Sequence, residues 1–287
     1  MIEVSGLAKR FKLAKSHQLS DAEKSDPRLF DGYFHSVTDV SFSCAPGQVL
    51  GLLGPNGAGK TTTLRMLSSA LTPWRGEILI NGIDVVKKPL LARNKIGFLS
   101  GSTGLYGKLT ARENVEYFGR LHGLSPQALK QQVDALFEML GIHQFASRRA
   151  DSLSTGMKQK TSIARAVVHK PEVVVLDEPT TGLDIMATQT VLDFIRQLKN
   201  DGTPVIFSTH HLDEVNLLCD KVTIINEGKN CFSGSVTELL DHAGADNLNQ
   251  AFMHAVGAAG TETAASVTPI LTPTLTSKEE QTHVAGL

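Results

Sequence analysis

The chain has 287 residues, 41% hydrophobic and 20% charged, enough to bury a substantial core, which excludes collagen, coiled coil and wholesale disorder. Its 28 Lys plus Arg against 29 Asp plus Glu leave a net charge of -1, so no global field steers it to nucleic acid or an anionic bilayer. No window approaches the roughly 18 apolar residues of a spanning helix, and an N-terminus carrying Glu3, Lys9 and Arg10 does not read as a signal peptide. If the protein works at a membrane, another chain must do the spanning. Cys44, Cys219 and Cys231 are widely spaced, odd in number and without metal-ligand pattern, which predicts free thiols in a reduced, cytoplasmic setting.

In chain order, residues 12–35 are polar and irregular and predict a long surface loop. Residues 48–53 form an apolar run closed by Gly54, a buried strand entering a tight loop, and residues 61–71 have helical spacing that stops before Pro73. Residues 109–168 are mainly helical, with a boundary at 123–126, and read as a helical insertion. Apolar runs at 173–176 and 205–208 end in Asp177-Glu178 and near His210. Three buried strands, each followed by polar residues and a helical pattern, predict a parallel α/β core with its chemistry at the strands' C-terminal ends. Residues 257–287, rich in Ala, Thr and Pro, predict a disordered tail.

The strongest chemical signal is Gly54-Pro55-Asn56-Gly57-Ala58-Gly59-Lys60-Thr61, a full match to the phosphate-loop pattern, between a predicted strand and a predicted helix. Its glycines let backbone N–H groups converge on phosphate oxygens, and the helix N-terminus adds its positive end. Lys60 would reach the β- and γ-phosphates, and Thr61 would place a hydroxyl on Mg²⁺. The motif fixes nucleotide binding but not the reaction, because kinases, GTPases and motor ATPases share it. The acidic pair narrows the choice: Asp177 suits Mg²⁺ or its waters, and Glu178 would orient and polarise an attacking water.

Leu153-Ser154-Thr155-Gly156-Met157, followed by a helical run, offers a hydroxyl, N–H groups and a helix dipole to an anion, a second phosphate-binding element on one chain. About twenty residues before the acidic strand, it resembles the signature segment of ABC ATPases. The resemblance covers about residues 1–240. It implies a phosphate-loop NTPase core with a mostly parallel sheet, an N-terminal antiparallel β portion and a helical subdomain inserted at about 100–170. A short Leu-x-x-x-Phe helix within 241–256 is similar to the one closing ATP-binding subunits of ABC-2 type exporters.

The same resemblance implies residue roles. ATP would be bound by Phe11, stacking on adenine, and by Gly54, Pro55, Asn56, Gly57, Ala58, Gly59, Lys60, Thr61 and Thr62. Tyr33 and Phe34 remain alternatives for the stacking ring. Glu178 would be the catalytic base, with Lys60 on the phosphates. His210 in Phe207-Ser208-Thr209-His210 would contact the γ-phosphate, with His211 as the alternative. Thr61 and Asp177 would serve Mg²⁺. The signature residues 153–157 and Asp184, in Thr180-Thr181-Gly182-Leu183-Asp184, would reach a second ATP-binding subunit in a head-to-tail dimer. Ile185 departs from the family's Pro, and Gly101 stands where the family has a Gln, leaving Ser100 or Ser102 as oxygen donors.

Residues 98–106 and 153–157 together most resemble the sodium-exporter, NatA type. The implied protein is a peripheral ATPase at the cytoplasmic face of the cell membrane. It would energise a separate integral membrane permease, docked against residues 106–116 and the helical insertion, to export sodium or another solute. A soluble ABC ATPase of translation or repair usually pairs two cassettes or inserts a long coiled coil, and neither pattern is in the sequence.

Overall fold

The computed structural model describes residues 1–13, 25–101 and 104–260. In chain order the strands and helices begin with β1 (Ile2–Lys12), β2 (Leu29–Phe30), β3 (Tyr33–Cys44), β4 (Val49–Leu53) and α1 (Lys60–Leu67). There follow β5 (Arg75–Ile80), β6 (Ile83–Asp84), α2 (Pro89–Arg93), β7 (Ile96–Leu99), α3 (Ala111–Leu121), α4 (Pro126–Met139) and α5 (Thr155–Val167). The remainder comprises β8 (Val173–Asp177), α6 (Ile185–Asn200), β9 (Val205–Ser208), α7 (Leu212–Leu218), β10 (Lys221–Asn226), β11 (Lys229–Ser235), α8 (Val236–Ala243) and α9 (Leu248–Gly260).

Among the described residues these strands form one mixed sheet in the order β6-β5-β1-β3-β11-β10-β4-β9-β8-β7, with β2 on β3. The pairs β10·β4, β4·β9, β9·β8 and β8·β7 are parallel. Strands β4, β8 and β9 are buried at every position, the reading expected of strands covered on both faces. The β1·β3, β1·β5 and β5·β6 pairs are antiparallel and make the N-terminal portion. The helical insertion is α3, α4 and α5, packed on one another through Val115, Leu129, Val133, Phe137, Ile163 and Ala164. Thr110 forms a reciprocal capping box with Glu113 at α3, and Ser125 caps α4 ahead of Pro126, so local sequence starts both helices where the hydrophobic pattern begins.

Three expectations need correction. The predicted loop 12–35 contains β2, which pairs with the start of β3 through Leu29↔Phe34 and Phe30↔Tyr33 around Asp31 and Gly32, both with positive φ. A two-residue strand joined to the start of β3 by a two-residue turn carries too little periodicity to be seen in a polar sequence. Residues 14–24 of that loop lie outside the described residues.

The helix predicted over 61–71 ends at Leu67. Ser69 turns left-handed (φ 57°), Ser69 N–H donates to Met66 O and Ala70 N–H to Arg65 O, a Schellman stop built without glycine. At the C-terminus α9 continues to Gly260, past the expected end at 256, while residues 261–287 of the predicted tail lie outside the described residues. The described thiols are free, as expected.

Candidate active site

The phosphate loop joins β4 to α1, and its end is shaped for an anion. Gly59 has φ 109° and a Cβ there would stand 2.7 Å from Ser36 O, so only glycine lets the loop pass this close to β3. Helix α1 has no side-chain cap and no acidic residue in its first turn. Its leading N–H groups therefore lack the side-chain acceptor that usually satisfies them, which is the arrangement a phosphate completes. Lys60, 6% exposed, lies back along the loop and donates from Nζ to Gly54 O (2.7 Å) and Pro55 O (3.1 Å). Burial holds the Lys60 ammonium below its ordinary pKa, partly opposed by the charges of Glu178 and Asp177. Thr62 meets Ser36 across a 2.9 Å hydroxyl contact that ties α1 to β3.

Sheet order decides what faces this loop. β9 lies between β4 and β8, so Ser208 is in register with Leu52 on one side and Asp177 on the other. Ser208 Oγ donates to Asp177 Oδ1 (2.8 Å) and accepts from Glu178 N–H (3.0 Å). Thr61 Oγ1 donates to the same Asp177 Oδ1 at 3.2 Å. A hydroxyl and a carboxylate oxygen thus converge at one point, the hard oxygen donors that suit Mg²⁺. Glu178 turns the chain with φ 48°, in the left-handed region uncommon for a side-chain-bearing residue. It is held there by Ser208 and by Thr181, whose Oγ1 donates to Glu178 Oε2 at 3.1 Å. His210 Nδ1 stands 3.8 Å from Glu178 Oε1, and the His211 ring leans on it with centroids 4.0 Å apart.

Beside these groups is a cavity of about 460 Å³, lined by Asn56, Glu178 and His210 together with Asn249, Phe252 and Met253 of α9. The structure thus brings Lys60, Thr61, Asp177, Glu178 and His210 together. Phe11 is half-buried under the Lys9 ammonium, 5.3 Å from its centroid. Of its alternatives, Tyr33 stacks on Arg10, which lies 4.1 Å from Trp74 on its other side, whereas Phe34 is buried beneath Arg28 at 4.9 Å. Successive strand residues face opposite ways, so Tyr33 and Phe34 cannot serve the same face.

The signature segment opens α5, where a Cβ on Gly156 would stand 3.5 Å from the Ala187 side chain and 3.8 Å from that of Leu183, in the segment after β8. Ser154 is exposed and caps α5 by accepting Met157 N–H at 3.3 Å. Asp184 caps α6 by accepting Ala187 N–H at 2.8 Å, which puts Ile185, 85% exposed, at the first helical position, where proline is also favoured. A Cβ on Gly101 would meet nothing within 4 Å, whereas Ser102 lies outside the described residues. Sequence reasoning missed Gln159, whose Nε2 donates to Pro179 O at 2.8 Å and ties the signature helix to the turn after Glu178. It also gave no structural role to Ser208 and none to the α9 residues that bound the cavity. Only sheet order and packing reveal them.

A phosphate loop facing an acidic strand end and a histidine defines a nucleoside-triphosphate hydrolase. The ABC transporter family matches residues 37–181. Over 219 residues the chain is 43% identical to the ABC transporter ATP-binding protein NatA of Bacillus subtilis (strain 168), covering 76% of this chain and 89% of that protein. It is 36% identical over 228 residues to the linearmycin resistance ATP-binding protein LnrL of the same organism, covering 77% and 73%.

A solved ATP-binding subunit of an ABC transporter superposes with a TM-score of 0.75 at 25% identity, over 88% of this chain and 98% of that one. A dimeric ATP-binding cassette in a post-hydrolysis state with ADP and Pi shares the fold, with a TM-score of 0.71 at 22% identity, over 82% and 99%. The chain belongs to the ABC transporter family, as an ATPase that couples hydrolysis to transport. No helix among the described residues is long and apolar enough to cross a membrane.

Proposed function

We propose that this ATPase powers an exporter, with sodium as the exported solute, and that two copies work head to tail on a separate membrane permease at the cytoplasmic face. The observation that carries the catalytic part is the convergence of Thr61, Ser208, Asp177, Glu178 and His210 at the phosphate loop. The sodium part rests on the resemblance of residues 98–106 and 153–157 to the sodium-exporter type, alongside 43% identity to NatA.

In this reading the phosphate-loop amides and Lys60 stabilise charge on the transferring phosphoryl group, the largest catalytic contribution in such reactions. Thr61 would hold Mg²⁺, with Asp177 facing it or its waters, and the ion would supply positive charge at the phosphate oxygens. Glu178 orients a water and accepts its proton as the new P–O bond forms; the bond from the γ-phosphorus to the bridging oxygen breaks, giving ADP and phosphate. His210, beside Glu178, holds the base and the γ-phosphate in line. Phe11 stacks on adenine. Ser154 and Gly156 of one copy reach the nucleotide of the other, and Asp184 belongs to the same interface. The exposed rings of Tyr106 and Tyr117, centroids 5.6 Å apart, form part of the permease contact.

The test is ATP-driven sodium uptake into inverted vesicles that contain the subunit and its co-purifying membrane protein, with Glu178→Gln as control. Uptake abolished by the substitution supports sodium export. ATP hydrolysis without sodium uptake refutes the sodium assignment and points to another solute.

A further inference from the structure

Residues 25–35 extend the N-terminal hairpin and bring one cation to the phosphate loop. Arg28 donates from Nη1 to Gly57 O at 2.7 Å. The guanidinium is fixed before any ligand arrives. Its Nη2 and Nε meet the two oxygens of Asp26 at 2.7 and 3.0 Å, the backbone N–H of Arg28 adds a bond to Asp26 Oδ1 at 2.9 Å, and Phe34 lies beneath at 4.9 Å. The side chains of Arg28 and Asp26 are only 9% and 4% exposed. A fork this buried and doubly bonded has given up its rotamer freedom during folding, so the donor to Gly57 is preorganised.

Gly57 is the place where such a donor matters. It is exposed, has φ 78°, and a Cβ built on it meets nothing within 4 Å, so side-chain packing does not hold its peptide. The following peptide unit has its two ends pinned in opposite directions: Gly57 O is held by Arg28, and Ala58 N–H donates to Pro55 O at 3.2 Å. Were that peptide to rotate, Ala58 N–H would leave Pro55 O, and the turn that sets the rest of the loop's N–H groups toward phosphate would be lost.

We propose that Arg28, clamped by Asp26, is a positioning residue for nucleotide binding. It keeps the Gly57–Ala58 peptide oriented with its oxygen on the guanidinium and its N–H on Pro55 O, so that the phosphate loop is in binding form before ATP enters. Arg28 bonds the loop and not the γ-phosphate side of the site, so it serves ATP and ADP alike.

The experiment is equilibrium binding of MgATP and MgADP to the full chain, with steady-state ATPase kinetics beside it, for wild type, Arg28→Ala, Arg28→Lys and Asp26→Asn. Because the role rests on the phosphate loop being the nucleotide site, wild-type binding is the first readout. Its absence would overturn that assignment, independently of Arg28. Given wild-type binding, Arg28→Ala is expected to raise both dissociation constants about tenfold by the same factor, with KM following and kcat moving less than threefold. Arg28→Lys, which keeps a charged donor but not the fork, falls between. Asp26→Asn, which weakens the clamp and leaves the arginine, shifts affinity in the same direction. Unchanged affinities in the three variants overturn the proposal, as does a loss confined to kcat or an effect on ATP without one on ADP. If Arg28→Ala fails to fold, Arg28→Lys and Asp26→Asn test the role by the same criteria.

Discussion

Ser208→Ala removes a hydroxyl that is fully buried between the phosphate-loop strand and the acidic strand. Two hydrogen bonds go with it. The donation to Asp177 Oδ1 at 2.8 Å ends on a carboxylate and is of the charge-assisted kind, about 1.5–3 kcal/mol, and the acceptance from Glu178 N–H at 3.0 Å is of the neutral kind, about 1 kcal/mol. Alanine offers neither donor nor acceptor, Asp177 is 6% exposed and β9 is closed to solvent, so water replaces neither bond cheaply. The expected loss of unfolding free energy is about 2–4 kcal/mol, read from urea or guanidinium titrations with the slope unchanged. Turnover should fall with it, because the same bond holds Glu178 in its left-handed conformation. A loss under about 0.5 kcal/mol, the scatter of an inconsequential substitution, would refute the claim that Ser208 joins the two strand ends.

Glu178→Gln should lower kcat by about 10²–10⁴-fold, the usual worth of a general base, and leave ATP binding intact; steady-state turnover with a separate binding measurement checks both. Gly101→Gln should change ATPase activity of the isolated subunit by less than about tenfold, because a side chain there meets open space. Burial, then the neighbouring His122, holds the His169 imidazole down to about 4 from 6.5, so the folded chain binds fewer protons than the unfolded one between those values. Stability present above pH 6.5 is therefore lost as pH falls toward about 4, by at most about 3 kcal/mol and less for a ring partly open to water. His169→Gln should flatten that acid limb in denaturation curves, and an unchanged limb would count against it. Burial raises the pKa of all three thiols, Cys44 to about 12, so a thiol-titrating reagent at pH 8 should label the native chain slowly and the unfolded chain at once.

The parts of the site legible in the sequence are those whose chemistry is local. Gly54 to Thr61 declares itself because the loop needs glycines, a lysine and a hydroxyl at fixed spacing between a strand and a helix. The three core strands were legible for a similar reason: short apolar runs with polar ends can only be buried strands feeding a surface. Residues joined through sheet order were not. Ser208 is 31 residues from Asp177, and only the insertion of β9 between β4 and β8 brings its hydroxyl to Asp177 and to Glu178 N–H.

The residues beyond the parallel core were hidden for different physical reasons. Asp26 and Arg28 sit in a stretch whose composition reads as loop, and a buried ion pair leaves no periodic trace in a sequence. Phe252 and Met253 carry the apolar pattern of an ordinary amphipathic helix, so nothing local separates a helix that only packs on β10 from one that also lines the cavity beside Glu178 and His210. Both elements reach the phosphate loop: Arg28 bonds its carbonyl at Gly57, and Asn249, Phe252 and Met253 of α9 line a cavity together with Asn56, Glu178 and His210. The motifs therefore supply the chemistry of a hydrolase shared across many folds' worth of loops and tails. In this chain two peripheral elements adjoin that chemistry, an N-terminal hairpin whose Arg28 bonds the loop at Gly57 and a C-terminal helix that lines the cavity.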